Sequence, residues 1–327
     1  MKVGAATHFP SEGVHRLALV NAGATLLLLF IGGLVTSKGA GLAVPDWPTT
    51  FGYNMFFYPW SKMIGDIFYE HSHRLVASGV GLLTLALAIW IWLCERRRWV
   101  RWLGAAALFL VIVQGFIGGL RVVLVEETLA ILHACLAQAF FALTVSLVFF
   151  TSREWAEEPQ RIELLDAGRP FDRLRAVREL EPLQRLCFFT TAMIYLQGFF
   201  GAVLRFTGAG FHLHLLFAAL VALHVTLLGA RIVRFHAKQT RLLQPVILLG
   251  GLLILQLALG LGSYLGKFTP PGSFLSPLAL IVLRTTHVVT GALMLVTSLV
   301  LILRSYRLLA LPHSLPNQKF LAEQLSA

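Results

Sequence analysis

Eight apolar stretches, each long enough to cross a hydrocarbon core, constrain this chain more than any other feature. They run over about residues 16–37, 71–93, 100–121, 127–150, 186–206, 212–233, 243–264 and 279–303. A helix needs about 20 predominantly apolar residues to span a bilayer. The 327 residues are 57% hydrophobic with a mean hydropathy of +0.75, more apolar than an ordinary soluble domain. The sequence therefore predicts an all-α membrane protein with eight transmembrane helices and the lipid bilayer as its solvent.

Charge sets the expected orientation. A formal net charge of +11 could suggest nucleic acid, but the basic residues fall in alternate loops, as membrane topology demands. Arg96, Arg97, Arg98 and Arg101 lie between spans two and three, Arg153 to Arg185 between four and five, and Arg231, Arg234, Lys238 and Arg241 between six and seven. With both tails, that side holds 20 of the 27 Lys and Arg. The reading is a multi-pass protein with both termini cytoplasmic and no nucleic-acid partner. The first span exceeds the h-region of a secretory signal, and nothing before it resembles an Arg- and Ser-rich transit peptide, which favours a bacterial plasma (inner) membrane. Cys94, Cys135 and Cys187 fall within or at the ends of apolar stretches, so an outer-loop disulfide is excluded.

The spans divide into two matching halves. Phe30-Ile31-Gly32-Gly33-Leu34 followed by Gly39-Ala40-Gly41 repeats, with the same internal spacing, as Phe199-Phe200-Gly201-Ala202-Val203 followed by Gly208-Ala209-Gly210. Gln114 with Gly118 is echoed by Gln197 with Gly201 and by Gln256 with Gly260; close helix packing over small residues also accounts for such glycines. Four spans per half is an even number, so the halves enter the membrane in the same sense, as a parallel repeat. The expected organisation is a four-helix bundle over 1–152, a polar cytoplasmic linker over 153–185 and a second four-helix bundle over 186–327. The halves differ in one outer loop of some 33 residues between the first two spans, rich in aromatics; it reads either as a lid over one bundle or as an interfacial aromatic belt.

Each half carries histidines near the outer ends of its even-numbered spans: His73 and His133 in the first, His214 and His287 in the second. Satisfied packing is the common fate of a lone helix histidine, but intramembrane ionisable residues default to function, and here the arrangement is repeated. Structural zinc favours thiolates and does not explain two separated pairs. Axial ligation of a heme iron between opposing helices does, and no Cys-x-x-Cys-His occurs to link a heme covalently. His71 and His212 lie two residues before the proposed ligands, about 200° around the helix, and cannot share their face. His212 stays open as a substitute for His214, and His224 reads as a packed core histidine. His8, His15, His236 and His313 are expected to be solvated.

Glu70 precedes His73 by three residues, on the same helix face, whereas the second half has Phe211 at the equivalent place. A carboxylate there can accept a proton or stabilise developing positive charge at a porphyrin edge; pairing with Arg74 or Lys62 is the other reading. Arg74, Arg121, Arg205 and Arg284 sit at the outer ends, where they either bind heme propionates bidentately or snorkel toward lipid headgroups.

Glu70-x-x-His73-Arg74, preceded by Gly41-Leu42-Ala43-Val44-Pro45-Asp46-Trp47-Pro48 and combined with histidines on spans four, six and eight, resembles the heme A synthase family over essentially residues 17–303. Members oxidise the C8 methyl of heme O to the formyl group of heme A, for cytochrome oxidase. The resemblance implies that His73 and His133 bracket the substrate heme O, that Glu70 takes part in the oxidation, and that His214 and His287 ligate a heme b that relays electrons. It also implies heme O synthase and an unidentified electron donor as partners, and leaves a homo-oligomer open. Some members carry a cysteine pair in the first outer loop, and this chain has none there. The competing reading is a di-heme b-type cytochrome passing electrons from quinol, which would need hemes near opposite membrane faces rather than in one layer.

Overall fold

In the computed structural model, which describes residues 11–156, 170–268 and 275–308, every expected span is a helix. The helices are α1 (Glu12–Lys38), α2 (Asp66–Cys94), α3 (Arg98–Val123), α4 (Glu127–Thr151), the single turn α5 (Arg153–Ala156), α6 (Pro170–Thr207), α7 (Phe211–His236), α8 (Thr240–Phe268) and α9 (Pro277–Leu308). Eight of them are long and apolar enough to cross a bilayer, and no strand occurs among the described residues. The chain is an all-α, eight-helix, multi-pass membrane protein.

The helices run past the apolar stretches because polar first turns join them. α2 begins at Asp66, just after Gly65 at φ 61°, a backbone conformation glycine adopts without cost, so Glu70 lies within the helix. The loop between α1 and α2 shortens accordingly. Of the expected linker, 157–169 lies outside the described residues; its described ends are helical, and α6 starts at Pro170 with Pro182 inside it.

Each helix in the first group packs on the next, and α4 closes back on α1; α6 to α9 do the same, with α9 against α6. The two rings meet where α1 touches α9 and α4 touches α6 and α9. Apolar residues fill each ring toward one end only. In the first, Val14, Ala18, Leu87, Ile91, Val100 and Leu147 form a buried cluster; in the second, Leu183, Leu228, Ile232, Leu242, Leu249 and Leu301 do so. All lie away from the face that carries the 39–65 loop, called here the loop face. Toward the loop face the interiors hold histidine, glutamine and arginine instead, so hydrocarbon packing stabilises one end of each ring and leaves the other to polar chemistry.

Candidate functional site

The four candidate ligands share one local design, a helical hairpin with glycine on the outgoing helix and histidine on the returning one. A β-carbon placed on Gly32 of α1 would lie 3.1 Å from Cε1 of His73 on α2; on Gly118 of α3, 2.8 Å from that of His133 on α4. On Gly201 of α6 it would lie 3.1 Å from Cε1 of His214 on α7, and on Gly260 of α8, 3.2 Å from that of His287 on α9. Each imidazole thus brings its Cε1 edge against helix backbone that a glycine keeps clear. Three hairpins add a glutamine four residues before the glycine. Gln114 Nε2 donates to the His133 carbonyl at 3.1 Å, while the Gln197 and Gln256 amide nitrogens lie 3.5 and 3.4 Å from Nε2 of His214 and His287. α1 has Leu28 at that place.

The same layer concentrates unsatisfied polarity. Nδ1 of all four histidines and Oε1 of Gln114, Gln197 and Gln256 are buried without a hydrogen-bond partner. Each such atom costs about 1–3 kcal/mol, and native proteins keep them where a ligand or reaction uses them. The His214 and His287 rings meet edge-on, with centroids 6.4 Å apart and planes at 73°. Imidazoles on opposite faces of one iron, with bonds of roughly 2 Å each, stand about 6 Å apart centre to centre, so this pair fits a bis-histidine heme. His73 and His133 also lie within electrostatic reach of one another. Among the described residues no three His, Cys, Asp or Glu side chains converge, a donor set that suits axial pairs rather than a tetrahedral metal centre.

Among the described residues only the first ring carries a carboxylate in this layer. Glu70 is 3% exposed; its Oε2 accepts the Val44 N–H at 2.9 Å and its Oε1 accepts Arg74 Nη2 at 2.9 Å. Arg74 also donates to the carbonyls of Val44, Asp46 and Thr49 at 2.8, 2.7 and 3.0 Å, fastening the loop onto α2. The two sequence readings of Glu70 are therefore compatible, since it pairs with Arg74 while standing one helical turn from His73. Arg121 donates to the Gly41 carbonyl at 3.0 Å and faces both Glu70 and Arg74. In the second ring, Arg205 donates to the Gly33 carbonyl and Ser37 Oγ at 3.0 and 2.9 Å, with the Arg284 charge nearby. Among the described residues neither Arg205 nor Arg284 has a carboxylate partner, although both are half-buried.

The loop covers the first ring. Trp47 lies directly on Gly119 of α3 and edge-on to Phe116, ring centroids 5.8 Å apart, so a side chain at 119 would expel it. Asp46 organises the turn beneath, its carboxylate accepting from Phe51 N, Gly52 N and Thr49 Oγ1 at 2.7, 2.9 and 2.5 Å. Partial burial alone would raise the Asp46 pKa, but these hydrogen bonds outweigh it and hold it at about 2. Residues 44–50 are held against α2 and α3, whereas Phe56, Phe57, Trp60 and Ile64 nearer the tip are exposed.

The remaining histidines fall elsewhere. His71 is buried under the loop against Tyr58, with Nδ1 3.2 Å from Thr50 Oγ1. His212 is exposed, and His224 Nδ1 meets its own helix at the Leu220 carbonyl, 2.8 Å away. Two expectations of solvation fail: His236 is buried at the end of α7, and half-buried His15 approaches Thr151 Oγ1 at 3.3 Å, because the helix ends pack together there. His8 and His313 lie outside the described residues.

Fold and site together define a multi-pass helical membrane protein with paired, unsatisfied imidazoles near one face of each of two helical rings. A family model described as cytochrome oxidase assembly protein (COX15-CtaA) matches residues 15–214, more than half of the chain, and the chain belongs to that family. It is similar to proteins named heme A synthase: 34% identical over 139 residues to that of Shouchella clausii (42% of this chain, 45% of the relative), and 33% over 141 residues to that of Alkalihalophilus pseudofirmus (41% and 46%). A third, from Bacillus licheniformis, is 29% identical over 162 residues (49% and 51%). The chain thus spans about half the length of the curated relatives it matches.

Proposed function

We propose that this chain is a heme A synthase, oxidising the C8 methyl of heme O to the formyl group of heme A. In this reading the two rings are a parallel repeat. His73 and His133 bracket the substrate heme O, and His214 and His287 hold heme b with Arg205 and Arg284 on its propionates. The protein lies in a bacterial plasma membrane with both termini cytoplasmic, receives heme O from a heme O synthase and draws electrons from a separate donor.

The observation that carries the proposal is the buried carboxylate beside only one of two otherwise matched histidine pairs. When bound, heme b supplies a reversible one-electron carrier. The chain's own residues supply position and charge. Gly32 and Gly118 leave room for the imidazoles of His73 and His133. Arg74 and the Val44 N–H fix both oxygens of Glu70, so the carboxylate meets the substrate in one orientation and can accept a proton or stabilise positive charge at the porphyrin edge. The loop over 40–50 excludes water from that edge. Conversion of methyl to formyl removes four electrons from one carbon and adds one oxygen, so an external oxidant and oxygen source must meet the substrate, and the fixed carboxylate stands ready to take up a proton released there. All four histidines lie within about three turns of the loop-face ends of their helices, which does not suit a cytochrome that carries electrons between opposite faces.

The test is Glu70→Gln in the full chain. Extracted hemes identified by mass should show heme b and heme O retained and heme A lost. Normal heme A formation would remove Glu70 from the reaction.

A further inference from the structure

One group of polar contacts between the two rings lies in the histidine layer. On one side Arg205 of α6 reaches the Gly33 carbonyl and Ser37 of α1, and Thr285 of α9 donates to Ser37 Oγ at 3.0 Å. On the other, Tyr195 of α6 donates its phenol hydrogen to the Cys135 carbonyl of α4 at 3.2 Å. Midway along the helices the interface is apolar, with Phe141, Ala292 and Val296 buried against Leu26, Leu29 and Val145, and at the far end Arg304 of α9 pairs with both carboxylate oxygens of Glu154 on α5 at 2.9 and 3.0 Å.

Tyr195 stands apart because of what lies at either end of its hydrogen bond. Cys135 follows His133 by two residues on α4. Tyr195 precedes Gln197 by two on α6, and the Gln197 amide lies 3.5 Å from His214 Nε2. One histidine of each pair is therefore joined to the other by two short runs of helix backbone, one hydrogen bond and one amide contact. The ring packs against the buried cluster of the second group of helices, as a phenylalanine could. Packing therefore explains the ring and leaves the hydroxyl unexplained, although a buried phenol must find a partner. It finds one on the neighbouring ring rather than on its own helix.

We propose that Tyr195 is the relay contact through which the two histidine pairs exchange electrons. This rests on the reading that each pair holds a porphyrin iron. With both sites loaded, His214 and His287 would hold the one-electron donor and His73 and His133 the acceptor, and a single electron would pass between them. No bond forms or breaks, and the phenol keeps its proton. Tyr195 touches neither iron and acts as a positioning residue for the transfer.

The test uses the full chain in lipid nanodiscs, loaded with heme b and with the product heme A, whose formyl group separates its absorption from that of heme b. Electrons are injected by a flash-excited ruthenium tris-bipyridine. Tyr195→Phe should keep both hemes and both reduction potentials and lose the fast inter-site phase. Phe141→Leu, in the apolar part of the same interface, should keep that phase, which separates a relay from general loosening. Two hemes with a wild-type fast phase in Tyr195→Phe would overturn the relay alone. A chain that binds a single heme would overturn the relay and the two-site reading together.

Discussion

Removing Arg74 should release the loop, and the size of the effect follows from its surroundings. Arg74 is 9% exposed, donates to four acceptors and is the ion-pair partner of a carboxylate that is itself 3% exposed. Deleting one member of such a buried pair costs about 3–5 kcal/mol, because the other charge is left uncompensated. Replacing Glu70 by Gln keeps the shape and one acceptor, and should cost about 1.5–3 kcal/mol, the worth of a hydrogen bond to a charged group. Arg74→Leu should therefore reduce the hydrogen-exchange protection of the 44–52 amides by roughly two to nearly four decades, at about 1.4 kcal/mol per decade. Glu70→Leu combined with Arg74→Leu should cost less than the two single changes summed, because neither charge is then stranded. Exchange measured by mass spectrometry on the loop peptide reads Glu70→Gln, both single leucine variants and the double variant. A loss below tenfold in Arg74→Leu, or strict additivity in the double variant, would refute the view that this pair holds the loop down.

Further predictions concern the seats and the turn. Gly118→Val should displace His133 and lose heme from the first ring only, while Gly201→Val should displace His214 and lose it from the second; heme content per chain measures both. Asp46 has a folded pKa of about 2 against an ordinary 3.8, so its contribution is complete above about 4 and is lost as pH falls toward 2. Protection of the Phe51 and Gly52 amides, corrected for intrinsic exchange, should fall over that window and should already be low and pH-independent in Asp46→Asn.

Much of this was legible in the sequence because lipid makes helix length and charge asymmetry strong signals. The eight spans emerge from hydropathy alone, and the misplaced ends, such as Asp66 for α2, are polar turns that hydropathy cannot see. The repeated histidines were visible, but the hairpin as the unit of repetition was not. Its marks, Gly32, Gly118, Gly201 and Gly260, read equally as packing glycines until the imidazoles were seen to lie on them. The paired glycines carry a further meaning that spacing could not reveal. Beside Gly32, Gly33 receives Thr285 of α9, and beside Gly118, Gly119 receives Trp47; the second ring has Ala202 and Leu261 there. The Glu70–Arg74 pair was among the readings of the sequence, but the loop carbonyls that engage Arg74 and Arg121 were not, because they come from residues with no side-chain signal. Tyr195 was missed for the same reason, since its acceptor is the backbone of Cys135.

The most direct measurement extracts and weighs the hemes bound by the purified chain and by its His133→Ala and His287→Ala variants. The account predicts heme b with heme O or heme A in the parent, loss of heme O and heme A alone in His133→Ala, and loss of heme b alone in His287→Ala. Two equivalents of heme b in the parent, or the same heme lost from both variants, would contradict it.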